Sequence, residues 1–262
     1  MNVVKSKLTI IFLLLFSGIA FSQTDDSDTT WWDIGIYASP DYCTRIASGS
    51  TAESFSSGTF DAIEKPRIGY TAGLLFSRQL SKRLYFQSGL VFESQGYKTK
   101  TLNDTVFDLY DKPLYTKDYV RAIRYNTINI PVILKINLFN ASKIKFNAGI
   151  GVAPVISLGK YEVMTFEDHT ERLISKAERD LNIQAIVNFS VYIPFSDEFS
   201  VSIEPTLKYT VLPYNDHQYK GISRGLISPG IGIFFAYALP TQAVYDYYYY
   251  NIYKKKNIPA NY

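Results

Sequence analysis

From Asn126 to Leu138 apolar and polar side chains alternate with a period of two. Ile128, Ile130, Val132, Leu134, Ile136 and Leu138 fall on one face, and Thr127, Asn129, Pro131, Ile133, Lys135 and Asn137 on the other. That period is the signature of a strand with two different environments on its two sides. Leu181–Ile193 repeats the pattern, with Asn182, Gln184, Asn188 and Ser190 opposing the apolar row, and so does Phe199–Tyr209, with Ser200, Ser202, Glu204, Thr206 and Lys208. Weaker versions occupy Trp31–Ser39, Arg67–Ser77, Leu84–Lys98, Ile144–Leu158 and Leu226–Tyr237, which makes eight predicted strands. None of them carries apolar residues at the i, i+3, i+4, i+7 spacing of an amphipathic helix.

The connections alternate in length. Segments 40–66, 99–118, 159–180 and 214–225 are long, whereas 78–83, 139–143 and 194–198 are short and rich in turn-forming residues. Strands of about 9 to 11 residues, even in number, joined by alternating long loops and short turns, predict an all-β fold: an eight-stranded antiparallel up-and-down transmembrane β-barrel with the short turns and both termini in the periplasm. In lipid every backbone polar group needs an internal partner, and a sheet closed on itself meets that demand. Aromatic residues fit two interfacial girdles, one of Phe76, Tyr85, Phe139, Phe146, Phe195, Phe199, Phe235 and Tyr237 near the short turns and one of Tyr97, Tyr119, Tyr125, Tyr161 and Tyr209 at the other end. Pro131, Pro154, Pro205 and Pro229 lie inside predicted strands, where a missing N–H leads us to expect bulges.

Composition narrows the choice further. The 262 residues are 47% hydrophobic, 16% aromatic and only 19% charged, which excludes disorder. Met1–Ser22 reads as a secretory signal, with Lys5 and Lys7 before the apolar run Leu8–Phe16 and Ala20-Phe21-Ser22 as the cleavage site. Removing it lowers the formal net charge from +3 to +1, so no excess remains for nucleic acid. Cys43 is the only cysteine, which excludes an internal disulfide and a cysteine-based zinc site. Residues 23–30 read as a flexible periplasmic lead-in, 31–237 as the barrel and 238–262 as a Tyr/Lys-rich periplasmic tail.

The run Tyr125-Asn126-Thr127-Ile128-Asn129-Ile130-Pro131-Val132-Ile133-Leu134-Lys135, followed by Asn147-Ala148-Gly149-Ile150-Gly151-Val152, resembles the PorT-like outer-membrane β-barrel family of Gram-negative bacteria. Leu90–Gly96, Glu204-Pro205-Thr206-Leu207-Lys208-Tyr209 and Gly230-Ile231-Gly232-Ile233 extend the resemblance over most of Arg67–Tyr237. It implies outer-membrane residence and, through the member that gives the family its name, a link to protein secretion. It carries over no catalytic residue, cofactor or metal.

An eight-stranded barrel leaves room for side chains and not for an open pore. The interior set is Gln87, Glu93, Asn129, Lys135, Asn137, Asn147, Gln184, Asn188, Glu204 and Lys208, in which two Glu balance two Lys. Buried charges must be paired, so Glu93 and Glu204 are expected to meet Lys135 and Lys208 in a polar plug, with an ion path as the alternative. The two histidines, His169 and His217, lie beside acids in expected external loops and read as solvated surface. The tail carries Tyr245, Tyr247, Tyr248, Tyr249, Tyr250, Tyr253, Lys254, Lys255 and Lys256, an interfacial anchor or a partner-binding arm. The expected role is non-enzymatic: a structural or accessory component of an envelope or secretion assembly, contacting outer-membrane lipid and possible envelope proteins. The alternatives are a lipid-modifying enzyme barrel and a narrow solute channel.

Overall fold

The computed structural model describes residues 32–48, 63–107, 113–175, 181–211, 214–215 and 223–239. The leader and lead-in, His217 and the tyrosines and lysines of the tail lie outside them. Among the described residues, twelve strands form one sheet: β1 (Trp32–Ser48), β2 (Glu64–Gln79), β3 (Leu84–Thr99), β4 (Leu102–Phe107), β5 (Pro113–Asn129), β6 (Val132–Ala141), β7 (Ile144–Phe166), β8 (Thr170–Ser175), β9 (Leu181–Pro194), β10 (Phe199–Thr210), β11 (Tyr214–Asn215) and β12 (Ser223–Leu239).

Antiparallel pairing runs from β1 through β2, β3, the β5/β6 pair, β7, β9, β10 and β12 back to β1, an eight-strand ring. β5 and β6 act as one barrel strand. Asn129 lies opposite Val91 and Val155, and Val132 opposite Ser88 and Val152, so no residue is inserted at Ile130-Pro131. Ile130 N–H still donates to the Pro154 carbonyl at 3.2 Å, and the strand lacks a donor only at Pro131, because proline has no N–H.

The same economy corrects the expectation of bulges at the prolines. Pro205 keeps its place opposite Ile231, and its donor-less side falls between the bonded pairs Ile203–Val191 and Thr206–Asn188 of β9. Pro229 is spanned likewise by Asp41–Gly230 and Thr44–Ile227, and Pro154 stays in register with Ile183. The register shifts lie elsewhere, between Pro66 and Tyr70, Val106 and Phe107, Asn126 and Thr127, and Asn137 and Phe139.

Local chemistry closes the short turns. Ser142, with φ of 58°, and Lys143 make a two-residue link between Ala141 and Ile144. Ser196 Oγ accepts hydrogen bonds from the amides of Glu198 and Phe199, which fixes the β9–β10 turn.

The long connections differ from expectation. β1 runs on to Ser48, the β4–β5 hairpin fills most of the described part of 99–118, and β7 with β8 fills most of that in 159–180. Strand continues beyond the clean alternation because, past the apolar band, neither face must be uniformly apolar. Thr, Tyr and Val still favour extended backbone there.

The outer wall is apolar. Ile36, Leu74, Leu90, Leu134, Ile150, Val187, Phe189, Ile203 and Ile233 are all exposed on it. At the short-turn end aromatic rings meet across strands: Phe139 stacks on Phe146 at 4.5 Å, and Phe199 lies 5.2 Å from Tyr237 and 5.9 Å from Phe235. At the opposite end Tyr42, Tyr70 and Tyr209 are exposed, with Phe92 6.0 Å from Tyr70. Two of the expected girdle residues are corrected: Tyr97 and Tyr125 are buried in one cluster with Ile123 and Leu226. Their odd numbers place them on the inward rows of β3 and β5, and strand parity outranks aromatic preference.

Candidate functional site

Inward-facing rows from all eight wall strands meet in the lumen. Gln87, Glu93, Asn129, Lys135, Asn137, Asn147, Gln184, Asn188, Glu204 and Lys208 are all buried there. Each follows from parity: one face of a strand in this wall meets apolar surroundings and the other meets the rest of the ring.

Lys208 occupies the centre. Its ammonium lies 2.8 Å from Asp41 Oδ2, 2.6 Å from Glu93 Oε1 and 2.5 Å from Thr71 Oγ1, so all three N–H donors are used. Glu93 is also held by the amides of Asn129 (2.5 Å), Gln95 (2.8 Å) and Gln184 (3.2 Å), all on Oε2. Asp41 accepts from Ser39 Oγ at 2.9 Å.

A second pair lies alongside. Lys135 Nζ donates to Glu204 Oε1 at 2.6 Å, and Asn188 Nδ2 reaches Glu204 Oε2 at 3.4 Å. Towards the short turns, Asn137 donates to Asn147 and Asn147 to Ser190, each at 3.1 Å. Towards the other end, Arg45 pairs with Glu64 and donates to the Tyr97 hydroxyl at 2.7 Å.

Sequence reasoning missed Asp41, Ser39, Thr71 and Gln95. Ending the first strand at Ser39 places Asp41 in a connection, and the sequence then balances the interior at two Glu against two Lys. Among the described residues, the network around Lys135 and Lys208 holds three carboxylates, Asp41, Glu93 and Glu204, against those two ammonium groups. The signal was present in the odd-numbered row Tyr37, Ser39, Asp41, Cys43, Arg45, which carries the inward parity of β1 straight past Pro40. The interior is also less polar than expected. Tyr37, Leu75, Val91, Phe234 and Ala236 form one buried cluster, and Ile133, Ala153 and Ile186 another.

A cavity of about 40 Å³ remains at mid-height, bordered by Gln87, Glu93, Asn129, Asn188, Glu204 and Lys208 among others. Among the described residues no group of three His, Cys, Asp or Glu side chains is placed to hold a metal ion.

His169 sits in the β7–β8 turn. Its Nδ1 lies 2.6 Å from Asp168 Oδ1 and its Nε2 3.3 Å from Glu171 Oε1, and its ring stacks on Phe166 at 4.7 Å. The hydrogen bond to Asp168, then that to Glu171, raises the imidazole pKa above its ordinary value, while His169 lowers that of Asp168.

A closed antiparallel ring with an apolar outer wall and an ion-paired interior defines an integral β-barrel of the outer membrane. The chain belongs to the family described as outer membrane protein beta-barrel domain, whose profile matches residues 21–212. The structure supplies the closing strand β12 beyond that match. Similar folds include the outer membrane protein OprG of Pseudomonas aeruginosa (10% identity, TM-score 0.38, covering 81% of this chain and 97% of that one). Neisserial surface protein A is similar at 9% identity and TM-score 0.37, covering 77% and 94%. The outer membrane protease OmpT of Escherichia coli is similar at 8% identity and TM-score 0.34, covering 83% and 100%. No curated protein matches the sequence.

Proposed function

We propose that this barrel is a sealed, non-enzymatic wall protein of the outer membrane, a structural or accessory component of an envelope or secretion assembly of the PorT-like kind. The supporting observation is the ion network across the lumen: Lys208 ties β10 to β1 and β3, Lys135 ties β6 to β10, and a cavity of about 40 Å³ is left between them. That volume holds about three water-sized spheres and no through-flow of solute.

The segments that carry the PorT-like resemblance support the reading in a specific way. Lys135, which ends the Ile130-Pro131-Val132-Ile133-Leu134-Lys135 motif, binds Glu204 of the Glu204–Tyr209 motif, and Lys208 of that motif binds Glu93 of Leu90–Gly96. Three separate motifs meet as one plug. In this reading their part is to seal the barrel.

The proposed orientation puts the short turns and both termini in the periplasm and the β4–β5 and β7–β8 hairpins outside. The segment beyond Leu239 is the candidate docking arm for an envelope partner. Affinity purification of the full chain from its native membrane, beside a chain ending at Leu239, tests the role: envelope proteins recovered with the first and lost from the second are expected, and identical recovery from both removes the docking arm. Conductance across a planar bilayer, or turnover of outer-membrane lipid by the purified barrel, would overturn the sealed, non-enzymatic reading.

A further inference from the structure

On the outer wall towards the hairpin end, positive charge gathers without a counter-charge. Lys65 on β2 and Lys98 on β3 are exposed and directly opposite each other in the ladder, where like charges cost stability. Arg124 on β5 lies opposite Gly96, the next position of the same parity along β3, and so shares their face. Arg67 joins them through the register shift in β2. Pro66 lies opposite the inward Tyr97, and a Cβ at Gly69 would meet Cys43 Sγ, so Arg67 and Ile68 between them both turn outward. Arg67 and Arg124 are close enough to repel each other.

Among the described residues no acid neutralises these four. Arg67 Nη1 and Arg124 Nε are buried without a hydrogen-bond acceptor. The carboxylates at the same height are committed elsewhere, Glu64 to Arg45 and Glu162 to Arg121. Four cations on one face with no acid among them call for an anion from outside the chain.

Next to them, towards the middle of the apolar band, the same wall is hollowed. Pro40 and Tyr42 on β1, Ile68 on β2, and Pro229 and Ile231 on β12 border an open cavity of about 390 Å³. Pro40 and Pro229 have no N–H to give the seam between β1 and β12, where Asp41–Gly230 is the one pair between Ala38–Ile233 and Thr44–Ile227. Asp41 also borders the cavity, but its carboxylate is held in the lumen by Lys208 and Thr71. The side chains offered to lipid are therefore apolar or aromatic. Ile68 of this socket adjoins Arg67, and Lys65 stands about 10 Å further along β2.

We infer that this face holds one phosphorylated glycolipid of the outer leaflet, with an acyl chain in the Tyr42/Ile68/Pro229 socket and its phosphate among Lys65, Arg67, Lys98 and Arg124. The socket and the cations follow one another along the wall in the order in which a lipid presents chain and phosphate. A soluble anion would leave the socket unused, and an uncharged lipid would leave the cations without a partner. Guanidinium and ammonium groups bind phosphate by charge-assisted hydrogen bonds, and each cation near an anionic headgroup is worth about fivefold in affinity. The choice of leaflet rests on the orientation proposed above; the binding itself does not.

The test is native mass spectrometry of the full-length barrel in an uncharged detergent, titrated with monophosphorylated lipid A and with the same lipid after removal of its phosphate. One phosphorylated lipid per barrel is expected, bound at least about tenfold more tightly than the dephosphorylated one. Lys65→Gln/Lys98→Gln should weaken the phosphorylated lipid by about twentyfold and leave the other unchanged, whereas Ile68→Trp, which fills the socket, should weaken both. All three positions are exposed, and the double variant relieves a like-charge pair, so without lipid it should melt no lower than the parent chain. Equal affinity for the two lipids, or a phosphorylated lipid that ignores the double variant, overturns the site. Loss of binding in the double variant with none in Ile68→Trp, or displacement of the lipid by inorganic phosphate at equal concentration, overturns it in favour of a soluble anion. Protease access to the β4–β5 hairpin in whole cells reads the orientation separately, and a hairpin protected until the outer membrane is opened overturns the choice of leaflet.

Discussion

Lys208 on β10 and Glu93 on β3 lie 2.6 Å apart across the full width of the barrel, from wall strands four places apart around the ring of eight. A contact between neighbouring strands would only reinforce the ladder. This one joins opposite walls and fixes the cross-section, and Asp41 and Thr71 on β1 and β2 complete the tie.

Removing the ammonium should therefore cost more than a hydrogen bond. Lys208→Met leaves Asp41 and Glu93 facing each other unneutralised, and breaking a buried pair this way costs about 3 to 5 kcal/mol. Urea unfolding in detergent micelles reads the loss. The double variant Lys208→Met/Glu93→Gln should recover part of it, because a single carboxylate then remains with Ser39 and Thr71. A double variant less stable than Lys208→Met by the full cost of Glu93→Gln would show that the two residues are uncoupled.

Lys135→Met should destabilise the barrel by a similar amount, about 3 to 5 kcal/mol, by stripping Glu204 of its cation. Methionine fills much of the same space, so single-channel recordings should stay silent. A large new conductance would mean that Lys135 blocks a path and does not merely hold the walls.

Gly232 faces the ring of Tyr37, and a Cβ at that position would overlap it. Gly232→Ala is expected to push Tyr37 against its packed neighbours Leu75 and Phe234 and to cost about 1 to 3 kcal/mol. Tyr37→Ala in the same background should recover part of that cost, as measured by the same unfolding curves.

On the outer wall, Ile203→Arg places a charge near the middle of the exposed row of β10 and should cost about 2 to 4 kcal/mol in a bilayer. The same change at Val211, beyond Tyr209 and past the end of β10, should cost about 1 kcal/mol or less. Equal penalties at the two positions would contradict a lipid-facing band between the girdles.

In the β7–β8 turn the raised pKa of His169 and the lowered pKa of Asp168 share one cause, their mutual hydrogen bond. The ion pair exists only while His169 is protonated and Asp168 is ionised. It is complete between the ordinary carboxylate range, about 3.9, and the ordinary imidazole value, about 6.5. It fades as pH rises through the elevated imidazole pKa and as pH falls through the depressed carboxyl pKa. Imidazole resonances followed by NMR should show His169 titrating above about 6.5. Asp168→Asn should move that titration down; an unchanged midpoint would assign the shift to Glu171 alone.

Much of this architecture was legible in the chain because lipid and a packed lumen impose opposite demands on successive residues. Asn126–Leu138, Leu181–Ile193 and Phe199–Tyr209 declared both their strand character and which face turns inward. Where water surrounds both faces that demand lapses, and for that reason the hairpin extensions β4 and β8 read as loops. Asp41 lies inside the lumen and reads as part of a connection only because Pro40 interrupts the clean alternation before it. Parity along β1 held the clue to Asp41, and parity along β3 and β5 the clue to Tyr97 and Tyr125.

By itself the sequence determined the class of fold, the faces of the clearly alternating strands and the two lysines and two glutamates that line the interior, since each is a local consequence of period-two alternation between apolar and polar surroundings. The tertiary structure alone decided that Lys208 reaches Glu93 and Asp41 while Lys135 reaches Glu204, that the prolines interrupt bonding without shifting register, and that three carboxylates face two lysines. Those outcomes depend on the relative heights of strands far apart in the chain, which only ring closure fixes.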